Sequence, residues 1–339
     1  MKKTIDLRSD TVTQPCDNMR NIMAKASTGD DVYDEDPTVN QLQSYTAELL
    51  NKQAALFCPS GTQSNLIGLL SHCGRGDEYI VGGAAHTYLY EGGGAAVLGS
   101  IQPQPLTLKA DATFDLNELE SAIKPNDVHY ARTRLICLEN THNGISLPQG
   151  YTQKVKQIAQ QHQLSMHLDG ARLFNAVVET NTSPAILSAD FDSTSICLSK
   201  GLGAPIGSLL VGSHELINEA KRWRKMLGGG MRQAGIIASA GLYALQNNVD
   251  RLIEDHQHAD ELANKLSDIE GVDVVNQKAQ TNMVYVNVND TMRKRLAELA
   301  SDRDIILPSG NNMRLVTHLN INSDDIKSII ELFKQAARR

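Results

Sequence analysis

The chain has 339 residues, 41% of them hydrophobic, with a formal net charge of -7 at pH 7 and a pI near 5.8. This length exceeds one ordinary domain, and the apolar fraction suffices for a large core and a smaller second one. An acidic balance with no basic run argues against nucleic acid or an anionic membrane surface as the main partner and leaves small molecules.

The first 15 residues show no helical period and read as an arm. Their start, Met1-Lys2-Lys3 and then a charged stretch through Asp10, is unlike an apolar signal segment. No later stretch has the ~20 apolar residues of a membrane span, so a soluble, unprocessed protein is expected. From about 54 to 212, short β-type runs alternate with helical patterns, the mark of a mostly parallel sheet covered by helices. The pattern predicts strands over 54–57, 78–81, 135–139, 164–168, 193–198 and 208–211, and helices over 62–71, 151–161, 172–177, 215–226 and 232–246. Beyond Asn247-Asn248, a polar helix to about 265, strands over 272–275, 283–288 and 314–317, and helices over 292–300 and 324–337 predict an α+β cap. The expected fold class is thus α/β, with an arm (1–15), a large domain (16–248) and a small C-terminal domain (249–339). Cys16, Cys58, Cys73, Cys137 and Cys197 are scattered without C-x-x-C spacing. They indicate neither a disulfide framework nor a zinc site, and reduced thiols in a cytoplasmic protein fit best.

Chemistry gathers at predicted strand ends. In Phe57-Cys-Pro-Ser60-Gly61-Thr62 a strand passes through a turn into a helix, whose free N–H groups and hydroxyls suit a phosphate. Ordinary capping by Ser60 is the competing reading. His86 follows a strand among small residues, where an imidazole can stack on a flat ring and act as a base, or be structural. Glu91 precedes three glycines and either orients a histidine or is a solvated loop carboxylate. His129, His142 and His167 are weaker candidates for the base. Glu139 also sits at a strand end. Arg314 opens an apolar strand and suits bidentate binding of a carboxylate, while Arg232, after three glycines, suits a phosphate. A surface salt bridge is the alternative for either arginine.

The most informative stretch is Ser193-Thr-Ser-Ile-Cys-Leu-Ser-Lys200-Gly-Leu-Gly-Ala-Pro-Ile-Gly207. It places a lysine between a β-branched run and a glycine-rich loop. Alone, Lys200 reads as a snorkelling strand-end lysine or as an amine tuned to form a Schiff base. Upstream, Asp169 ends an apolar strand in His167-Leu-Asp169-Gly-Ala-Arg172 and supplies the anion that the pyridinium nitrogen of pyridoxal phosphate requires. The glycines Gly201, Gly203 and Gly207 nearly spell a dinucleotide fingerprint, but a strand rather than a helix is predicted after them.

Taken together, Asp6-Leu-Arg-Ser-Asp-Thr-Val-Thr13, Gly29-Asp-Asp-Val-Tyr33, Glu35-Asp-Pro-Thr38, Pro59-Ser-Gly-Thr62, Glu91-Gly-Gly-Gly94, Glu139-Asn-Thr-His142, Asp169-Gly-Ala-Arg172, Ser199-Lys-Gly-Leu-Gly203 and Gly228-Gly-Gly-Met-Arg232 resemble the low-specificity L-threonine aldolases. The resemblance spans nearly the whole chain. It implies a homotetramer of the aspartate-aminotransferase fold class, dependent on pyridoxal 5'-phosphate, that cleaves L-threonine, L-allo-threonine and related β-hydroxy-α-amino acids reversibly to glycine and an aldehyde. It further implies that Lys200 carries the cofactor, that Asp169 pairs with its ring nitrogen and that His86 stacks on the ring. Ser60, Gly61 and Thr62 would hold the phosphate, with Arg232 reaching it from the neighbouring subunit. Ser9, Arg172 and Arg314 would hold the substrate carboxylate, Tyr33 and Glu91 would line the site, and His129 would lie near the β-substituent. One departure is visible: Asp34 stands where the family usually has glycine. If that backbone needs positive φ, aspartate tolerates it less well than glycine.

The cofactor parts alone do not choose which bond breaks, so transamination and β-elimination are the nearest rivals. A non-catalytic pyridoxal-phosphate-binding regulator is the rival from another class.

Overall fold

The computed structural model describes residues 4–275 and 279–338. Among them are twelve strands: β1 (Ile5–Asp6), β2 (Ala54–Cys58), β3 (Asp77–Gly82), β4 (Gln102–Leu106), β5 (Arg132–Glu139), β6 (Ser165–Gly170), β7 (Ser193–Cys197), β8 (Ser208–Gly212), β9 (Val272–Val274), β10 (Met283–Val288), β11 (Ile305–Ile306) and β12 (Asn312–Val316). Seven form the central sheet in the order β2-β8-β7-β6-β5-β3-β4. Only β8 runs against its neighbours, β2 and β7, and every other pairing in that sheet is parallel. The α/β class with a mostly parallel sheet is therefore as the alternating pattern predicts. β7, β8 and most of β2 are buried throughout, which explains their near-continuous apolar and small residues.

One apolar cluster packs this sheet against its covering helices and extends to Leu252. A second gathers the antiparallel sheet β12-β10-β9 with helices Leu252–Ser267, Asp290–Ser301 and Ser323–Ala337. Ile5 and Leu7 belong to the second cluster. The N-terminal segment reaches it because β1 pairs in parallel with β11, the Val316 amide donates to the Leu7 carbonyl, and the His318 ring bonds the Asp6 carbonyl. From there residues 9–13 turn back toward the large sheet, and the Thr13 hydroxyl donates to the Lys200 carbonyl at 2.9 Å.

Local chemistry sets the element ends. Helix Gly61–His72 starts where the Ser60 hydroxyl accepts from the Gln63 amide at 3.1 Å. Helix Ser323–Ala337 has a reciprocal capping box between Asn322 and Asp325. Among the described residues, no helix is long and apolar enough to cross a membrane, and all five cysteines are free thiols.

Candidate active site

Register brings the candidate site together. Glu139 pairs with Asp169, and Asp169 with Ser195, across β5, β6 and β7, so both carboxylates stand at the same level at the carboxyl ends of parallel strands, where ligands collect in such sheets. Just beyond β7, the chain makes the tight loop carrying Lys200. The loop is pinned by its own bonds (Gly203 amide to Lys200 carbonyl, 2.9 Å; Ala204 amide to Leu198 carbonyl, 3.1 Å) and by Thr13 and Asn248 from outside. Gly203 is required: its φ is +78°, and a Cβ there would sit 2.5 Å from Leu319 Cδ2.

Asp169 is buried; one oxygen accepts from the Ala171 amide at 3.0 Å and the other from Asn65 Nδ2 at 2.9 Å. Burial first, then the charges of Glu139 and Glu91, push its carboxyl up to about 6 against the pull of Lys200 and His86. The Asn65 amide nitrogen also lies 2.9 Å from Glu91 Oε1, and that oxygen lies 2.8 Å from His86 Nδ1. The ligating atoms of His86, Glu91 and Asp169 all fall within 4.8 Å of one another. The hydrogen bond to Glu91 raises the His86 ring above its ordinary value, and the His86 amide donates to Glu139 Oε2 at 2.8 Å. Of the two readings of Glu91, a carboxylate that orients a histidine and a solvated loop carboxylate, the geometry matches the first: it is a nearly buried partner of His86.

Arg172 stands just before the helix Leu173–Thr180, and its carbonyl accepts from the Asn175 amide. Its guanidinium makes a bidentate pair with the fully buried Asp10, at 2.8 and 2.6 Å. Burial would raise the Asp10 carboxyl, but Arg172 outweighs that and holds it well below the usual carboxylate range. Ser9, next to Asp10, caps the turn Asp10–Val12 through the Thr11 amide. Arg314, on β12, lies in register with Tyr285 of β10. Burial raises the Tyr285 hydroxyl and outweighs the Arg314 charge, which acts to lower it, and Tyr285 donates to the Asn143 carbonyl at 3.2 Å.

At the other end of the site, helix Gly61–His72 presents its first turn to solvent, with Ser60 and Thr62 exposed. Gly61 lets this turn lie close on β7, since a Cβ would fall 2.7 Å from Cys197 Sγ. The loop of Gly228, Gly229 and Gly230 passes over the same turn: a Cβ on Gly229 would overlap Gln63. Arg232, just beyond, pairs with Asp30 at 2.8 Å and lies 6.0 Å from the Tyr33 ring, with Arg232 and Tyr33 both largely exposed.

His129 stands apart. It lies in an exposed loop before β5, paired with Asp127, its side chain 81% exposed. Glu139 is at the opposite end of that strand, so this chain's own fold does not bring His129 to Lys200. His167 and His142, the other weak base candidates, are buried. The sequence reading missed Asp10 as the partner of Arg172, Asn65 between two carboxylates and Tyr285 beside Arg314. The Asp10 signal was present, as an acid within a motif already singled out; an asparagine inside a helix or a tyrosine on a strand gives none.

A beta-eliminating lyase family model matches residues 6–289. Low specificity L-threonine aldolase of Escherichia coli K12 is 53% identical over 325 residues, covering 96% of this chain and 97% of that one. The chain belongs to the low-specificity L-threonine aldolase family. Low-specificity L-threonine aldolase 1 of Arabidopsis thaliana is 43% identical, with 98% and 96% covered. The structure of Leishmania major threonine aldolase superposes with a TM-score of 0.84 at 20% identity, covering 98% of this chain and all (100%) of that one, a likeness of fold. Against the threonine aldolase pattern, Asp34 does occupy the left-handed region, at φ 60° and ψ 25°. Its carboxylate pairs with Lys221 at 2.8 Å, and its carbonyl accepts from Asn40.

Proposed function

We propose that this chain is a pyridoxal-phosphate-dependent lyase that cleaves the Cα–Cβ bond of L-threonine and related β-hydroxy-α-amino acids, giving glycine and an aldehyde, acetaldehyde from threonine. The carrying observation is that Lys200, Asp169 and the open turn of helix Gly61–His72 lie at the carboxyl ends of β7, β6 and β2, on one end of the sheet, in a chain 53% identical to a threonine aldolase over nearly its full length. The donor set fits pyridoxal phosphate. A buried carboxylate crowded by two further acids calls for a cationic N–H, the helix start offers N–H groups and hydroxyls to a phosphate, and the pinned loop offers an amine. When bound, that group supplies an electron-withdrawing ring that takes up the electrons of the broken bond.

The protein's own residues do the rest. Lys200 would hold the cofactor, Asp169 its ring nitrogen, and Ser60, Gly61 and Thr62 its phosphate. Arg172 and Arg314, with Ser9, would fix the substrate carboxylate by forked hydrogen bonds, and Asp10 keeps Arg172 aimed. Glu91 accepts from His86 Nδ1–H, which leaves the lone pair on Nε2 to take the β-hydroxyl proton, directly or through water. His129 would reach a site only in another subunit. We further propose a cytoplasmic homotetramer with active sites shared across a dimer, Arg232 and Tyr33 serving the neighbour, and a role in threonine breakdown or glycine supply. The division into an arm, a large and a small domain near residues 15 and 248 belongs to the same reading, supported by the two apolar clusters.

Incubation of the purified protein with L-threonine should release acetaldehyde and glycine, and Lys200→Ala should abolish release. Turnover only of an amino acid paired with a keto acid would make it a transaminase; no turnover of either would favour a binding protein.

A further inference from the structure

Behind Asp169, the large domain buries a file of polar side chains to which none of these roles is assigned. Asn65, His167 and Ser193 are fully or nearly fully buried, and His72 continues the file outward. Such groups are costly unless hydrogen-bonded, and the pattern of bonds here fixes a direction. Asn65 Nδ2 lies 2.9 Å from both Glu91 Oε1 and Asp169 Oδ2. Carboxylates accept, so this end of the amide is the NH2 group and Oδ1 is an acceptor. That oxygen lies 3.2 Å from His167 Nε2, which therefore carries a proton. Burial pushes the His167 ring down to about 3, so it is neutral and its Nδ1 accepts from the Ser193 hydroxyl at 2.7 Å. With that hydrogen committed, Ser193 Oγ accepts from His72 Nε2 at 2.7 Å. Every donor points toward Asp169. Gly68 makes room for the file, since a Cβ there would sit 2.8 Å from His167 Cε1.

We propose that Asn65 and His167, backed by Ser193 and His72, are positioning residues that keep Asp169 anionic and aimed at the ring nitrogen of pyridoxal phosphate. This rests on the reading of Asp169 as that nitrogen's partner. Aligned hydrogen bonds polarise one another, so the file stabilises negative charge at its end. It thereby opposes burial and the charges of Glu139 and Glu91; Lys200 and His86 are the cations facing Asp169.

The test compares His167→Leu, His167→Gln, Ser193→Ala and Asp169→Ala in the otherwise intact protein. Three quantities are read: the pyridoxal phosphate concentration that half-reconstitutes dialysed protein, the pH at which the bound cofactor's visible absorption changes, and thermal unfolding without cofactor. His167→Leu should weaken retention about tenfold, the scale of one lost buried hydrogen bond. It should also raise the transition pH, because a ring nitrogen that gives up its proton more readily repels the proton on the lysine linkage less. His167→Gln, which keeps a donor and an acceptor, should recover most of both, and Ser193→Ala should shift both in the direction of His167→Leu. Wild-type retention and transition pH in a folded His167→Leu protein would overturn the proposal, whatever its thermal stability. If that variant does not fold, an unchanged transition in Ser193→Ala overturns it. Should Asp169→Ala itself bind cofactor with an unchanged transition, the reading of Asp169 fails. Should Asp169→Ala lose cofactor while His167→Leu keeps it, only the file fails.

Discussion

His86 Nδ1 and Glu91 Oε1 are 2.8 Å apart, and a base in this position works only when neutral. Activity should therefore rise as pH climbs through the His86 pKa, which Glu91 lifts above the ordinary 6.5. Glu91→Gln removes that lift, so the rising limb of kcat should move to lower pH. His86→Phe keeps a flat ring for stacking but no proton acceptor; cofactor should stay bound while kcat falls about 10²-fold or more. Near wild-type turnover would leave His86 a packing residue. Asp10→Asn leaves the Arg172 charge buried without its counter-ion, and such breakage typically costs about 3 kcal/mol or more. We expect a lower unfolding temperature and a KM for threonine raised more than kcat is lowered. An unchanged KM would show that Arg172 is not what the substrate carboxylate meets.

At the scale of elements, the proposed phosphate cup depends on how tightly one helix start lies on one strand. Gly61→Ala should weaken cofactor binding, because its Cβ would lie 2.7 Å from Cys197 Sγ. Adding Cys197→Ala removes the colliding atom and should restore binding, a coupling that a double-mutant cycle reads directly. If the second change does not help, the glycine serves the backbone and not the contact. The same element level shows what a sequence does and does not disclose. The strands β5 to β8 were legible because burial favours short runs of apolar, β-branched and small residues, and the helix after Ser60 because its cap is a local signal. β4 was missed: Pro103 and Pro105 lack the N–H a ladder uses and hide the strand pattern, yet β4 is an edge strand, where a missing N–H is tolerated. β1 and β11 are two residues each and exist only through one another, so neither leaves a periodic trace. In the site, Lys200 and Asp169 were legible from their places at strand ends. Asn65 was not, because its role depends on what faces its helix across the fold.

For the whole molecule, the proposed sharing of sites between subunits predicts complementation between two inactive variants. The loop before Arg232 lies over the first turn of its own chain's helix Gly61–His72, while the Arg232 side chain turns to Asp30 and Tyr33 on the surface. Lys200→Ala and Arg232→Ala proteins should each be poorly active. Refolded together, half of randomly formed dimers are hybrids, each with one intact site if the site is shared, so about a quarter of wild-type activity should return. Hybrids without recovery would place both residues in one chain's site.

The docking of residues 5–13 also bears on the order of assembly. Asp10 meets Arg172 across 162 positions, Thr13 meets Lys200 across 187, and Asp6 meets His318 across 312. Contacts so distant along the chain form late, because loop closure must be met before they contribute. During synthesis the large sheet has all its strands before β11 and β12 emerge, so β1 must wait for its pairing partner. A nascent chain halted before residue 305 would contain Lys200, Arg172 and Asp10 but lack β11, the partner that docks β1 just ahead of Asp10.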